Sequence, residues 1–259
     1  MAAILRGRSG RAAAGAGRTV STPTSRHRTR TRTTPSTKAP HLSYIFPTAD
    51  RTVAPAGFTP APTDFEHPPT DPVPWAMQWI DEAMRLPTPN PNSSYLATTS
   101  ADGRPSVRTV LLRNFNADGA VFFTNRQSDK GHDIDATHRA ALLMHWDHID
   151  RQLIIQGAVT CTTDAESDAY FAQRPRDSQV NAWASDQSRP VSGIEAMRER
   201  QKQAFARFEG KTVPRPPHWG GYRIALERIE FWQGYAFRFH DRLAFTRAGS
   251  GWSVTRLMP

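Results

Sequence analysis

The spacing of apolar residues changes character along this chain, and each change marks an element. Trp75, Trp79, Ile80 and Ala83 recur at helical spacing and predict an amphipathic helix ending near Leu86. A turn-rich stretch from Pro87 to Ser93 follows, and the period then becomes that of strands. Strands are expected at Tyr95–Thr99, Ser106–Phe115 and Ala120–Asn125. Asp102-Gly103 and Asp118-Gly119 join them, dipeptides suited to tight hairpins. A short helix over Asp129–His138 precedes two more strands, Ala140–Trp146 and Gln152–Thr162. Thr163 can cap a helix through Ala165–Gln173 that Pro175 stops. Ser192 and Glu195 have capping-box spacing for another helix, ending at Gly210. Tyr222–Trp232, Leu243–Arg247 and Trp252–Leu257 supply the closing strands.

Mostly antiparallel strands with a few peripheral helices predict a mainly β chain, one β-barrel domain over residues 71–259 rather than a doubly wound sheet. No internal repeat is evident. Residues 1–70 are rich in Arg, Ser, Thr, Ala, Gly and Pro, with too few large apolar side chains to offset the entropy of ordering them. They are expected to be a disordered basic tail. The same acid-free start resembles an organelle transit peptide, while the plainer alternatives are a solvated tail or a start codon assigned too far upstream.

Charge becomes informative once it is located. The chain of 259 residues carries a net charge of +9, from 33 Lys and Arg against 24 Asp and Glu. Nine of the basic residues precede Asp50, the first acid, which leaves 24 basic and 24 acidic residues in the remainder. The basicity therefore belongs to the tail, and nucleic-acid binding by the folded part loses its support. The single cysteine, Cys161, excludes an internal disulfide and any cysteine-based zinc site, and fits a reducing, cytoplasmic location. No apolar run is long enough to span a membrane.

Three clusters could carry chemistry. If Arg238-Phe239-His240-Asp241-Arg242 is extended, Arg238, His240 and Arg242 share one strand face, where three cations call for an anion or for solvent. Trp232 could add an aromatic wall for a planar ligand. Tyr170 and Arg174 share a helical face, and Arg176, Asp177 and Ser178 are expected in the loop beyond Pro175. A phenol, a guanidinium and a hydroxyl there would suit a phosphate monoester. Arg108 and Arg113 flank an apolar run and face opposite ways unless a bulge intervenes, and Lys130 opens the next helix, a second setting for a phosphate. The His145-Trp146-Asp147-His148 run is read as a turn without metal. Sequences of the form GxGxxG, GxxxxGK[ST] and GxSxG are absent.

Arg108-Thr109-Val110-Leu111-Leu112, Phe123-Thr124-Asn125, Arg174-Pro175-Arg176-Asp177-Ser178-Gln179 and Gln187-Ser188 follow one another along the chain. Glu230-Phe231-Trp232-Gln233-Gly234, Arg238-Phe239-His240-Asp241-Arg242 and the terminal Arg256-Leu257-Met258-Pro259 come after them. In this order the motifs resemble those of the pyridoxamine 5′-phosphate oxidase family. The similarity runs from about Asp71 to the last residue. It implies the split β-barrel of FMN-binding oxidases with peripheral α-helices, acting as a homodimer with FMN in the subunit interface. FMN contacts are implied for Arg108, Thr109, Val110, Leu111, Leu112, Arg113, Phe123, Thr124, Lys130, Gln152, Gln187, Ser188, Trp232 and Arg242. Substrate contacts are implied for Arg113, Tyr170, Arg174, Ser178, Arg238 and His240, of which Arg238 and His240 would be catalytic.

The implied reaction is oxidation of pyridoxine or pyridoxamine 5′-phosphate by O2 to pyridoxal 5′-phosphate with release of H2O2. Two positions depart from the family: Arg113 stands where lysine is usual, and Asp129 where a basic residue is usual beside the FMN phosphate. Competing expectations are an FMN oxidase of another substrate, such as the phenazine-biosynthesis branch, a non-catalytic flavin- or pyridoxal-phosphate-binding protein, and nucleic-acid binding through the tail.

Overall fold

The structure, a computed structural model, describes residues 43–45 and 58–259. Expectations for residues 1–42 and 46–57 lie outside these. Ten strands and five α-helices are described. In chain order they begin with β1 (Ser43–Ile45), α1 (Val73–Met84), β2 (Ser93–Thr99), β3 (Pro105–Asn116), β4 (Gly119–Asn125) and α2 (Asp129–Thr137). Then come β5 (Arg139–Trp146), β6 (Arg151–Cys161), α3 (Asp164–Gln173), α4 (Arg176–Ala184) and α5 (Ile194–Phe208). The chain closes with β7 (Trp219–Ile224), β8 (Arg228–Gln233), β9 (Asp241–Ala248) and β10 (Gly251–Arg256).

The strands run β10-β9-β8-β6-β5-β2-β3-β4-β7, and β7 returns to pair with β6, so six of them close an antiparallel barrel. Closure depends on two long strands that change partners midway. Residues Arg151–Gln156 of β6 pair with β8, and Val159–Cys161 pair with β7. Gly157 stands at the switch, where a Cβ would lie 2.0 Å from the Ala225 carbonyl oxygen, so only glycine lets the strand pass. Likewise β3 pairs first with β2, then with β4 through a bulge at Arg113, and its last residues also pair with β1. This partner change is why the expected single strand Tyr222–Trp232 is two: β7 and β8 hydrogen-bond to different halves of β6.

Leu96, Leu112, Phe115, Phe122, Tyr222, Phe231 and Phe245 are buried in the barrel interior. Against them α1 lays Trp79 edge-on to Phe231, ring centroids 5.1 Å apart. A smaller cluster of Phe171, Val180, Ala204, Phe208 and Trp219 holds α3, α4 and α5 to the start of β7.

Three expectations need correction. Order was placed from Asp71, yet Phe65 is buried in the core, and the guanidinium of buried Arg151 reaches back to Ala61 O at 2.7 Å and Thr63 Oγ1 at 3.2 Å. A buried guanidinium needs all its donors met, and this stretch meets two of them. Arg176, Asp177 and Ser178 open α4 rather than a loop, because Pro175 both ends α3 and sets up the next first turn. At α5, Gly193 is the N-cap and no side chain caps it; Glu195 instead accepts from Arg198 at 2.5 Å. The Thr163 cap forms as expected, as a capping box with Glu166.

Candidate active site

A cavity of about 460 Å³ opens where β3, β4, α2, α3, α4 and the start of β7 meet. Thr109, Val110, Leu111 and Arg113 all line it. Both strand parities contribute, so β3 presents backbone as well as side chains. Leu112 does not line it: this side chain is wholly buried in the barrel core. From elsewhere come Phe123, Thr124, Lys130, Tyr170, Arg174, Ser178 and Gln187, all expected site residues.

One end of the cavity is a buried cationic corner. Lys130 lies in the first turn of α2, is only 6% exposed, and donates to Ser128 Oγ at 2.9 Å and Gln187 Oε1 at 3.2 Å. Burial, and then the nearby Arg108 charge, push the Lys130 ammonium down to about 8, against the opposing pull of Asp129. Arg108 donates to Thr98 Oγ1 at 2.5 Å and Leu96 O at 3.2 Å, and lies 3.7 Å from the Asp133 carboxylate. Its guanidinium is also lowered by burial, which Asp133 counteracts. Arg108 takes up Asp133 and Arg189 takes up Asp129, so among the described residues Lys130 has no carboxylate within ion-pair distance and the corner favours an anion. Asp129, the departure from family habit, forms an ion pair with Arg189, so its charge is compensated within the chain.

The segment Ser185–Arg189 straps this corner. Asn125 Nδ2 donates to Ser185 O at 3.3 Å, and Gln187 Oε1 also accepts from Thr124 Oγ1 at 3.2 Å. Ser188 takes a left-handed φ of 71° and lies outside the cavity lining.

The other end is the second cluster. The Phe123 and Tyr170 rings stack 4.2 Å apart, with the Arg113 guanidinium 5.6 Å from the Tyr170 centroid. The bulge at Arg113 supplies the break in strand parity that this placement requires. Burial raises the Tyr170 phenol while Arg113 and Arg174 pull it down; burial, and then Arg113, depress the Arg174 guanidinium. Arg174 Nη1 is buried without a hydrogen-bond partner. Among the described residues no carboxylate lies within ion-pair distance of Arg113 or Arg174.

The third cluster stands apart. Gln152, Trp232 and Arg242 are cross-strand neighbours on β6, β8 and β9, on the sheet's outward face, and none lines the cavity. Arg242 donates through Nε and Nη2 to Glu230 Oε1 and through Nη1 to Met258 O at 3.0 Å. Arg238, His240 and Arg242 do not share a strand face. Residues Ala236–Arg238 form a single 3-10 turn in which Phe237 and Arg238 take φ of 58° and 62°, and β9 begins only at Asp241. Consecutive non-glycine residues in the left-handed region store strain, which is common at functional sites. His240 Nδ1 accepts from the Tyr235 N–H at 3.1 Å, and its ring lies 4.6 Å from that of Trp232. Phe237 is fully exposed.

Sequence reasoning missed Trp219, Asn181 and Ser185 in the cavity wall, and the Thr98–Asp133 pair that orients Arg108. Trp219-Gly220-Gly221 was the available signal, since paired glycines at a strand start mark close approach of other groups.

Known proteins of the same kind share most of this chain. A family model described as pyridoxamine 5′-phosphate oxidase matches residues 80–233, and one for the pyridoxine 5′-phosphate oxidase C-terminal dimerisation region matches residues 219–259. The pyridoxine/pyridoxamine 5′-phosphate oxidase of Rubrobacter xylanophilus is 50% identical over 189 residues, 73% of this chain and 87% of that one. The protein of the same name from Cupriavidus metallidurans is 50% identical over 190 residues, 73% of this chain and 89% of that one. Among solved structures, PhzG from Burkholderia lata, in complex with tetrahydrophenazine-1-carboxylic acid, superposes with a TM-score of 0.73 at 29% identity. That match covers 78% of this chain and all of PhzG.

Proposed function

Because this chain belongs to the pyridoxamine 5′-phosphate oxidase family and is an oxidase, we propose that it uses FMN to oxidise pyridoxine or pyridoxamine 5′-phosphate with O2, giving pyridoxal 5′-phosphate and H2O2. With the amine, water is consumed and ammonia is released. The observation that carries the substrate assignment is the Arg113–Tyr170–Arg174 cluster: two cations without a carboxylate, one with a buried unpaired N–H, facing a cavity. A phosphate monoester supplies the charge and acceptors this cluster lacks. An unphosphorylated substrate would leave it uncompensated.

The donor set also fits FMN. Lys130 and Arg108 form a buried corner short of negative charge, where the terminal phosphate would sit, with Thr124 and Gln187 beside it. When bound, FMN supplies the two-electron acceptor that is reoxidised by O2. This chain's residues bind and orient. Arg113, Tyr170, Arg174 and Ser178 hold the substrate phosphate and fix the ring's position. His240, with Nδ1 occupied by the Tyr235 N–H, carries its proton on Nε2 when neutral and so can donate to the bound substrate. Arg238, at the strained turn, adds a cation whose guanidinium has no hydrogen-bond partner among the described residues.

Those two residues and Trp232 lie outside the cavity of their own subunit, which supports a homodimer in which each cavity is completed by its partner. Steady-state turnover of pyridoxine 5′-phosphate under air, followed by aldehyde absorbance and peroxide, tests this. A dimer that retains FMN yet oxidises neither phosphorylated substrate would refute it and favour a substrate of the phenazine type.

A further inference from the structure

The β7 start, Trp219-Gly220-Gly221, has no role in the function proposed above, yet it sits at the back of the phosphate-suited cluster. Trp219 is 7% exposed and lies nearly parallel to Phe123 (9°, 5.5 Å) and Tyr170 (9°, 6.1 Å). The Arg174 guanidinium stands over the indole, 4.7 Å from its centroid. Because Arg174 Nη1 finds no hydrogen-bond partner, the aromatic faces of Trp219 and Phe171 are the contacts that hold this guanidinium from within.

The frame around Trp219 is fixed independently. Arg215 donates to the Trp219 carbonyl at 2.7 Å and pairs with Asp164 and Asp168 of α3, the helix that ends at Arg174. The glycines let the stack form. A Cβ on Gly221 would lie 2.7 Å from the Phe123 ring, and one on Gly220 would lie 2.5 Å from the Arg126 guanidinium carbon.

We propose that Trp219 is a positioning residue of the phosphate site, holding the Arg174 guanidinium so that its unpaired N–H is presented to a phosphate monoester. The proposal rests on the phosphate-ester reading of the site but acts through Arg174 alone. An indole face under a partly desolvated guanidinium predicts about a threefold to thirtyfold loss of phosphate affinity on removal.

The test uses the FMN-loaded protein, so that the Lys130 corner is filled, and reads two quantities: KM against kcat for pyridoxine 5′-phosphate, and affinity for inorganic phosphate by calorimetry. Trp219→Leu should raise KM and weaken phosphate binding by that factor with kcat within about twofold of the parent. Trp219→Phe, which keeps a ring face, should recover most of the loss. In an Arg174→Met background neither substitution should change either quantity further. Equal phosphate affinity in parent and Trp219→Leu, or an undiminished effect in the Arg174→Met background, overturns the proposal. If the leucine variant does not fold, Trp219→Phe carries the test against Arg174→Met, and a loss that persists without Arg174 overturns it. If phosphate binding follows Trp219 through Arg174 but no phosphorylated substrate is oxidised, the positioning role stands and the proposed reaction falls.

Discussion

If Lys130 holds the FMN phosphate, as proposed, its ammonium gives cofactor binding a pH signature whose sign is fixed by its surroundings. In the protein without ligand, burial and Arg108 hold this group at about 8, against an ordinary value of 10.5. A bound phosphate dianion restores full charge, so binding above this pH takes up a proton. With a free-protein value near 8, the charged fraction falls from about 90% at pH 7 to about 10% at pH 9, so the FMN dissociation constant rises about tenfold across that window. The phosphate's own second ionisation, near pH ~6, lies below the window and does not oppose the trend.

Quenching of flavin fluorescence on titrating the apoprotein from pH 6.5 to 9.5 reads this directly. Lys130→Gln should bind more weakly at pH 7 and lose the slope. The same group also makes the apoprotein more stable as pH rises from about 8 to 10.5. Its folded value is depressed, so in that window the unfolded chain holds the extra proton. The gain is bounded at about 3 kcal/mol. A flat affinity profile in the parent, or an equal slope in Lys130→Gln, would refute the assignment of Lys130 to the phosphate.

Three further outcomes are expected. Arg113→Ala should lower kcat/KM for pyridoxine 5′-phosphate by about 10- to 100-fold, mainly through KM, whereas Arg113→Lys should be mild; parental kinetics in both would remove Arg113 from the phosphate site. Arg238→Met should cut kcat about 100-fold while FMN affinity, read by fluorescence, stays within about threefold; matching losses would reassign Arg238 to the cofactor. A chain starting at Pro68 should melt about 5–15 °C below the full protein. It loses the buried Phe65 and two acceptors of buried Arg151, and equal melting temperatures would show that this stretch adds nothing.

That last case shows where the sequence stops being legible. Hairpins at Asp102-Gly103 and Asp118-Gly119, the Thr163 cap and the α1 face were readable because local geometry decides them. Phe65 was not, because one aromatic residue in a polar, proline-rich stretch carries no periodicity; its burial depends on Trp75 and Trp79 from a helix that follows it. Partner switching in β6 was equally hidden. Gly157 reads as one weak strand residue until the Ala225 carbonyl is known to pass over it.

The candidate site was legible as chemistry and not as geometry, for a reason that bears on assembly. Charge and spacing singled out Arg113, Tyr170 and Arg174, and they meet because a bulge and a proline turn both their elements toward one cavity. Strand parity failed at Arg238 and His240, where a strained turn replaces the strand. Both residues sit beside an outward sheet face that also carries Val107, 69% exposed, and Tyr95, 46% exposed, with Phe237 wholly exposed at the turn. The β7–β10 region bearing Trp232 and Arg242 falls within the matched dimerisation region. A two-fold interface built on this face would repeat every contact on both subunits. The strained turn is closed from within the protomer by the Tyr235 N–H on His240 Nδ1 and the Phe239 N–H on Ala236 O, so these local hydrogen bonds, and not strand alternation, set where Arg238 stands.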